Sequence, residues 1–176
     1  MSTTWYFAYG SNMEMATLRG RRGIEFRRSL AARVPGWRIV FDKPPLVPIG
    51  ESFANLIADP HAEVLGVLFE VSDVELEAIE LSEGVRIGNY DRVSVEAHPL
   101  QRPEEIVAAN TLVSDRRDPE LAPSTRYMAV LIEGAIEHGL PAAYVEWLRS
   151  VPARPQSEDA ARFRADLDEA LRRLRR

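Results

Sequence analysis

The chain has 176 residues and a net charge of −5, and 45% of its residues are hydrophobic. This length and composition suit a single folded domain over 1–176 and exclude a chain that is disordered throughout. No apolar run reaches the roughly 20 residues that a membrane helix needs, and the N-terminus lacks the pattern of a signal peptide. We therefore predict a cytoplasmic protein with no membrane partner. The absence of cysteine excludes disulfides, thiol nucleophiles and thiolate metal sites.

Basic residues are almost all arginine, and they cluster in two places. Lys43 is the only lysine. One arginine patch lies within 19–28, and the other, within 172–176, ends the last predicted helix, where cations offset the helix dipole. Nucleic-acid-binding domains are usually basic overall, whereas this chain is acidic. We interpret both patches as solvated surface and predict no nucleic-acid partner.

Strand patterns dominate up to about residue 115. Alternating, β-branched and aromatic segments predict strands over 5–9, 37–41, 53–58, 63–71, 90–97 and 106–113. A turn at 59–61 is expected to join two of them into a hairpin, and the proline-rich segment 42–50 is expected to be a loop.

Helical patterns dominate the second part of the chain. Helices are predicted over 124–138, 142–149 and 157–176, the first of them capped by Ser124. Two shorter helices are expected earlier, one capped by Asn12 and ending near Gly20, the other from Ser72 to about Leu81. Strands over about 1–115 followed by helices over about 124–176 indicate the α+β class.

The first segment that could carry chemistry is the turn after the first strand, Tyr9-Gly10-Ser11-Asn12. Backbone amides of a tight turn that opens a helix can bind a carboxylate or a developing oxyanion. The alternative is an ordinary strand-to-helix turn, in which Gly10 supplies the dihedral angle and Asn12 the cap. Taken alone, the pattern favours this alternative.

The second segment is Glu83-Gly84-Val85, after the short helix that begins at Ser72. A glycine followed by an apolar residue suggests that the backbone turns toward the core here. A carboxylate at such a turn is expected to be partly buried and to accept a proton near neutral pH. The alternative is that Glu83 is one more exposed acid in an acidic stretch.

Other kinds of site are not indicated. His61, His98 and His138 lie far apart and without the spacing of metal ligands. No glycine-rich phosphate loop and no Gly-x-Ser-x-Gly nucleophile motif is present.

Together, the two segments resemble the γ-glutamylcyclotransferase family, which includes the AIG2-like proteins. The run from Tyr6 to Asn12, Tyr-Phe-Ala-Tyr-Gly-Ser-Asn, is similar to the opening motif of that family. Glu83-Gly84-Val85, with Tyr90 seven residues beyond Glu83, is similar to the second motif. Matching segments over 63–71 and 123–144 extend the resemblance to about residues 5–150, in consistent order. The last helix lies outside it.

This resemblance implies a small mixed β-barrel flanked by helices. It also implies cleavage of a γ-glutamyl amide by the substrate's own α-amine, which yields 5-oxoproline and a free amine. Such a reaction uses no cofactor, no metal and no protein nucleophile.

The resemblance also implies the roles of particular residues. Glu83 would be the catalytic general acid and base. The γ-glutamyl substrate would be bound by Tyr6, Phe7, Ala8, Tyr9, Gly10, Ser11, Tyr90 and Tyr127.

The leaving group and the assembly state stay open. We expect the leaving-group side of the site to come from the 42–50 loop and the variable helices, with Arg86 and Arg38 as candidates for a basic lining. A monomer and a homodimer are both compatible with the sequence. A non-catalytic small-molecule-binding or interaction protein of the same fold is the alternative function.

Overall fold

The structure, a computed structural model, describes residues 2–174, and within them five strands close into a barrel in the order β1-β3-β2-β4-β5. The strands are β1 (Thr3–Ala8), β2 (Ser29–Lys43), β3 (Phe53–Ser72), β4 (Asp91–Pro99) and β5 (Val107–Val113). β1 lies parallel to β5, and the other neighbouring strands pair antiparallel. The predicted mixed β-barrel is confirmed.

Helices pack around the barrel. They are α1 (Asp73–Glu83), α2 (Thr125–Glu137), α3 (Ala142–Ser150) and α4 (Glu158–Leu174). The end of the last predicted helix, and with it part of the second arginine patch, falls on residues 175 and 176, outside the described residues. Every helix in the described part of the chain is too short or too polar to cross a bilayer.

Both predicted serine caps are confirmed. Ser72 Oγ accepts a hydrogen bond from the Glu75 amide at 3.2 Å, and Ser124 Oγ accepts one from the Tyr127 amide at 3.1 Å. A side-chain acceptor at this position satisfies one of the amides that the first turn of a helix leaves unpaired. α1 runs two residues beyond the predicted end, so Glu83 is the last residue of the helix rather than a residue after it.

The predicted hairpin over 53–71 is wrong. β3 is one strand of 20 residues that passes through Pro60, and both of its halves pair with the long strand β2. The pairing register shifts between Pro35 and Trp37, opposite the segment that holds Pro60. Because the ladder is already interrupted there, a proline without an amide donor is tolerated.

The predicted helix capped by Asn12 is also wrong. The chain forms a 3₁₀ turn at Ser11–Met13 and then a π turn at Ala16–Arg21, which contains Gly20 instead of ending at it. Gly10 precedes the first turn with φ −113°, so it does not use the left-handed region. The Asn12 side chain caps nothing and points to two other polar groups, described below.

Candidate functional site

A cavity of about 840 Å³ opens between the end of β1, the end of α1, the start of α2 and helix α4. Most of the predicted site residues line it: Tyr6, Tyr9, Gly10, Ser11, Glu83, Tyr90 and Tyr127. These residues are spread over more than 120 positions of the sequence, and the barrel brings them to one place.

Two predicted binding residues are not among the lining residues. Phe7 is fully buried in the core, and Ala8 is buried beside it. A Cβ at Gly66 would lie 2.3 Å from the Ala8 carbonyl oxygen and 2.7 Å from the Phe7 ring. Residue 66 must therefore be glycine for β1 to lie this close to β3. Phe7 and Ala8 are core residues, and they act on the site by positioning the turn that follows them.

The carboxylate of Glu83 is held at one of its two oxygens. Its Oε1 accepts a hydrogen bond from Asn12 Nδ2 at 2.9 Å and pairs with the Arg22 guanidinium at 2.6 Å. The Glu83 side chain is 19% exposed and that of Arg22 is 16% exposed. From the part of the chain that the structure describes, Oε2 accepts no hydrogen bond. This oxygen is thus available for a proton from a bound ligand.

A glycine turn carries the chain from α1 to the back of the site. Gly84 ends α1 in the left-handed region with φ 76°, a conformation that favours glycine. The turn brings Asn89 behind the helix end, where its Nδ2 donates to the Glu83 carbonyl oxygen at 2.8 Å. Contacts from neighbouring residues therefore hold both the backbone and the side chain of Glu83.

Tyr127, in the first turn of α2, joins the helix to the barrel. Its hydroxyl oxygen accepts a hydrogen bond from the Ala54 amide of β3 at 3.1 Å. A Cβ at Gly10 would lie only 3.2 Å from the same oxygen, so the glycine lets the turn approach it closely. Since this oxygen accepts from the backbone, the hydroxyl hydrogen of Tyr127 is free to point into the cavity and donate to a ligand.

The four tyrosines of the cavity are neutral donors. Burial is the main cause that raises the pKa of Tyr6, Tyr9, Tyr90 and Tyr127 above the ordinary value for tyrosine, and the charge of Glu83 adds to it. The Tyr9 hydroxyl already donates to the Leu112 carbonyl oxygen, so the hydroxyls of the other three are the ones that can donate to a ligand.

Lys43 is a cationic residue of the cavity wall that the sequence patterns did not assign to the site. It is the last residue of β2 and is 1% exposed. Its Nζ donates to Asn89 Oδ1 and lies 4.5 Å from the centre of the Tyr90 ring. Burial, with the nearby Arg116 guanidinium, lowers the pKa of Lys43 to about 8, and the Glu83 carboxylate opposes this shift.

Asn12 and Arg22 were also missed as site residues. The sequence analysis assigned Asn12 to a helix cap and Arg22 to a solvated patch, and the structure shows both on the Glu83 carboxylate. No local spacing connects Arg22 with Glu83, which lies 61 positions later. For Lys43 a signal did exist, since a single lysine among 21 arginines follows a predicted strand.

The outer part of the cavity combines apolar and basic side chains. The proline-rich loop lines it, as predicted, together with residues of α4; the apolar members are Pro45, Leu46, Val47, Ile49, Phe163 and Leu167. Arg21, Arg126 and Arg164 lie among them. Arg86 and Arg38, the candidates from sequence, are exposed and do not line the cavity.

The structure thus combines a closed mixed barrel, as the resemblance implied, with a partly buried acid in a tyrosine-rich cavity. Residues 63–148 match the model of the AIG2-like family. A solved structure of a γ-glutamyl cyclotransferase aligns with a TM-score of 0.76 at 22% identity, over 96% of this chain and 99% of that one. The chain belongs to the AIG2-like, or γ-glutamylcyclotransferase, family.

Two relatives show how far the similarity extends. The γ-glutamyl cyclotransferase aclK of Aspergillus oryzae is 30% identical over 164 residues, which is 82% of this chain and 60% of that protein. The γ-glutamylcyclotransferase of Bos taurus is 29% identical, over 83% of this chain and 77% of that protein. The chain thus spans less than two thirds of the length of the fungal relative.

Proposed function

We propose that the protein is a γ-glutamylcyclotransferase that releases an amine or amino acid from a γ-glutamyl amide and forms 5-oxoproline. The observation that carries the proposal is the Glu83 carboxylate, held at Oε1 by Asn12 and Arg22 while Oε2 is open in the cavity. The names of the relatives support the same reaction.

Glu83 moves the proton in this mechanism. Its carboxylate takes a proton from the α-ammonium group of the substrate, and the free amine attacks the γ-carbonyl carbon. A C–N bond to the α-nitrogen forms, the bond to the leaving nitrogen breaks, and the proton passes from Glu83 to that nitrogen. Glu83 then accepts the second proton of the α-nitrogen, which leaves a neutral lactam, and passes it to the released amine. Positioned proton transfer of this kind typically contributes about 10²–10⁴-fold to the rate.

In this mechanism, Tyr127 and the turn at Gly10 bind the γ-carbonyl oxygen of the substrate. The free hydroxyl hydrogen of Tyr127 can donate to that oxygen as negative charge develops on it. The walls of the cavity also keep the γ-glutamyl chain folded, so that amine and carbonyl meet. Such an intramolecular arrangement is worth up to roughly 7–11 kcal/mol of the barrier.

The outer wall favours a leaving group that carries a carboxylate. Arg126 of α2 and Arg164 of α4 line the cavity. Burial is the main cause that lowers the pKa of Arg164, and the charges of Arg126 and Arg21 add to it, while Asp168 and Glu51 oppose the shift. Several cations that repel one another are stabilised by an anion. We therefore infer that γ-glutamyl amino acids are better substrates than γ-glutamyl derivatives of plain amines.

The test is 5-oxoproline release from a panel of γ-glutamyl amino acids and γ-glutamyl amines, followed by mass spectrometry against a reaction without protein. Glu83→Gln keeps the shape of the side chain but cannot accept the proton, so we expect the rate to fall by at least about 10²-fold. Glu77→Gln removes an exposed acid from the same helix and serves as the matched control.

Full activity of Glu83→Gln would contradict the mechanism. Silence of the wild-type protein across the panel would contradict the proposed reaction and favour the non-catalytic binding protein.

A further inference from the structure

Two cations beside the cavity lack a carboxylate partner. Lys43 Nζ and Arg116 NH1 both donate to the side-chain oxygen of Asn89, the latter at 2.9 Å. Within residues 2–174, neither forms an ion pair with an acidic side chain. A buried cation without a counter-ion is costly, and two that share one neutral acceptor cost more. An anionic ligand group at this point would relieve the cost.

Lys43 keeps its charge at neutral pH. The charged groups around it are Arg116 and Glu83, and the Tyr90 ring that it faces belongs to a neutral phenol. Its pKa of about 8 leaves the ammonium mostly protonated near pH 7. Lys43 lines the cavity, whereas Arg116 lies behind it and donates also to the Pro45 carbonyl oxygen.

The Asn89 side chain connects this cation to the acid. Its Nδ2 donates to the Glu83 backbone and its Oδ1 accepts from Lys43. One residue thus holds a carboxylate and an ammonium in fixed relation on one wall of the cavity. An α-amino acid head group carries the opposite pair of charges, an ammonium and a carboxylate on a single carbon.

We propose that Lys43, supported by Arg116, binds the α-carboxylate of the γ-glutamyl group while Glu83 meets the α-ammonium. The inference rests on the proposed function and adds to it the residue that selects a free α-carboxylate. The arginines of α2 and α4 belong to other elements and are left for the leaving group. Lys43 contacts a group of the substrate that does not react. Its loss should therefore weaken substrate binding, whereas the loss of Glu83 should slow turnover.

The experiment uses two ligands that differ only in the charged group. 5-Oxo-L-proline keeps the α-carboxylate, and 5-oxo-L-prolinamide has a neutral amide there. Calorimetry on the wild-type protein is expected to show tighter binding of the acid by about 10- to 100-fold, the usual worth of a hydrogen bond to a charged group. In Lys43→Met this preference is expected to disappear.

Lys43→Met suits the test because it should fold. Methionine fills a similar volume, and Asn89 Oδ1 retains its hydrogen bond from Arg116. Arg38→Met removes a charge from an exposed position of the same strand and should keep the preference for the acid. Circular dichroism and melting curves of both variants verify the fold.

Kinetics distinguish this inference from the proposed reaction. With γ-glutamyl-alanine, Lys43→Met should lower kcat/KM by about 10- to 100-fold, mainly through KM, and with the α-carboxamide analogue it should change little. Equal losses on both substrates, or equal binding of the two 5-oxoproline derivatives by the wild-type protein, would overturn the role of Lys43. A wild-type protein that binds 5-oxoproline through Lys43 but releases none from any γ-glutamyl amide would keep this inference and refute the activity.

Discussion

Tyr127 serves the fold and the cavity with the same oxygen. Its hydroxyl is the acceptor for the buried Ala54 amide, and its hydrogen is free to bond a substrate oxygen. Tyr127→Phe leaves that amide without a partner, which typically costs about 1–3 kcal/mol. We expect a loss of this size in the free energy of unfolding, measured in urea, together with a fall of about 10-fold or more in kcat/KM.

Tyr144→Phe is the matched control for this change. The Tyr144 hydroxyl is also engaged by the backbone, donating to the Leu65 carbonyl oxygen at 3.2 Å, but it does not line the cavity. Its loss should reduce stability and leave kcat/KM unchanged. A Tyr127→Phe protein that is as stable and as active as the wild type would show that neither bond matters.

Single residues differ in how visible they are from sequence. Glu83 stands next to Gly84 and Val85, and the turn at Gly10 follows an aromatic strand. The resemblance of these two short segments to the motifs of one family singles them out. Arg22 and Lys43 reach the site only through the fold, because their contacts, Glu83 and Asn89, lie tens of residues away. Sequence reasoning finds residues whose function needs a special local backbone, and it misses those whose function needs only a charge at the right place.

Secondary-structure elements also divide into those that the local sequence predicts and those that depend on distant contacts. The caps at Ser72 and Ser124 act within four residues, so the starts of α1 and α2 could be predicted. The continuity of β3 could not, because Pro60 and its neighbours have the composition of a turn. They stay in the strand because β2 pairs with the residues on both sides of them, and the register shift of β2 after Pro35 tolerates the proline.

Ser157, the residue before helix α4, ties the start of this helix to the proline-rich loop that lines the cavity. Ser157 Oγ accepts the Ala160 amide at 3.1 Å and donates to the Ile49 carbonyl oxygen of the proline-rich loop at 3.2 Å. Ser157→Ala removes both bonds, and the loss of such a cap typically costs about 1 kcal/mol. We therefore expect amide hydrogen exchange over 158–168, followed by mass spectrometry, to rise about fivefold.

Ser150→Ala provides the control at the end of α3. The Ser150 hydroxyl is exposed and donates to the Trp147 carbonyl oxygen of its own helix at 2.7 Å. Exchange over 158–168 should stay at the wild-type level in this variant. If Ser157→Ala also left it unchanged, α4 would be held by other contacts, such as the pairing of Arg21 with Asp168.

At the scale of the whole molecule, the site depends on how closely helix α2 approaches the turn after β1. The barrel strands supply Tyr6 and Lys43, the turn after β1 supplies Tyr9, and α2 supplies Tyr127. Hydrophobic patterning predicts that such elements pack together, but not the distance between their backbones. The distance between two backbones is set by the positions at which one of the elements carries a glycine, which has no side chain.

Gly134 is such a position, two turns after Tyr127 on the same face of α2. A Cβ there would lie 2.6 Å from the Glu14 nitrogen and 2.7 Å from the Met13 carbonyl carbon, and the backbone cannot yield as a flexible side chain can. Gly134→Ala must therefore push α2 away from the turn that holds Gly10. Overpacking of this kind typically costs about 1–3 kcal/mol.

The displacement should reach the chemistry as well, since a shift of about 1 Å at a catalytic group can cost on the order of 10²-fold in rate. We expect Gly134→Ala to lose stability in urea and to lose kcat/KM by about 10-fold or more, although residue 134 does not line the cavity. Gly20→Ala makes the same substitution where a Cβ would meet no atom within 4 Å, so it should leave both quantities near the wild-type values. Loss of stability with full activity in Gly134→Ala would mean that Tyr127 keeps its place independently of the helix, and that the barrel alone positions the reacting groups.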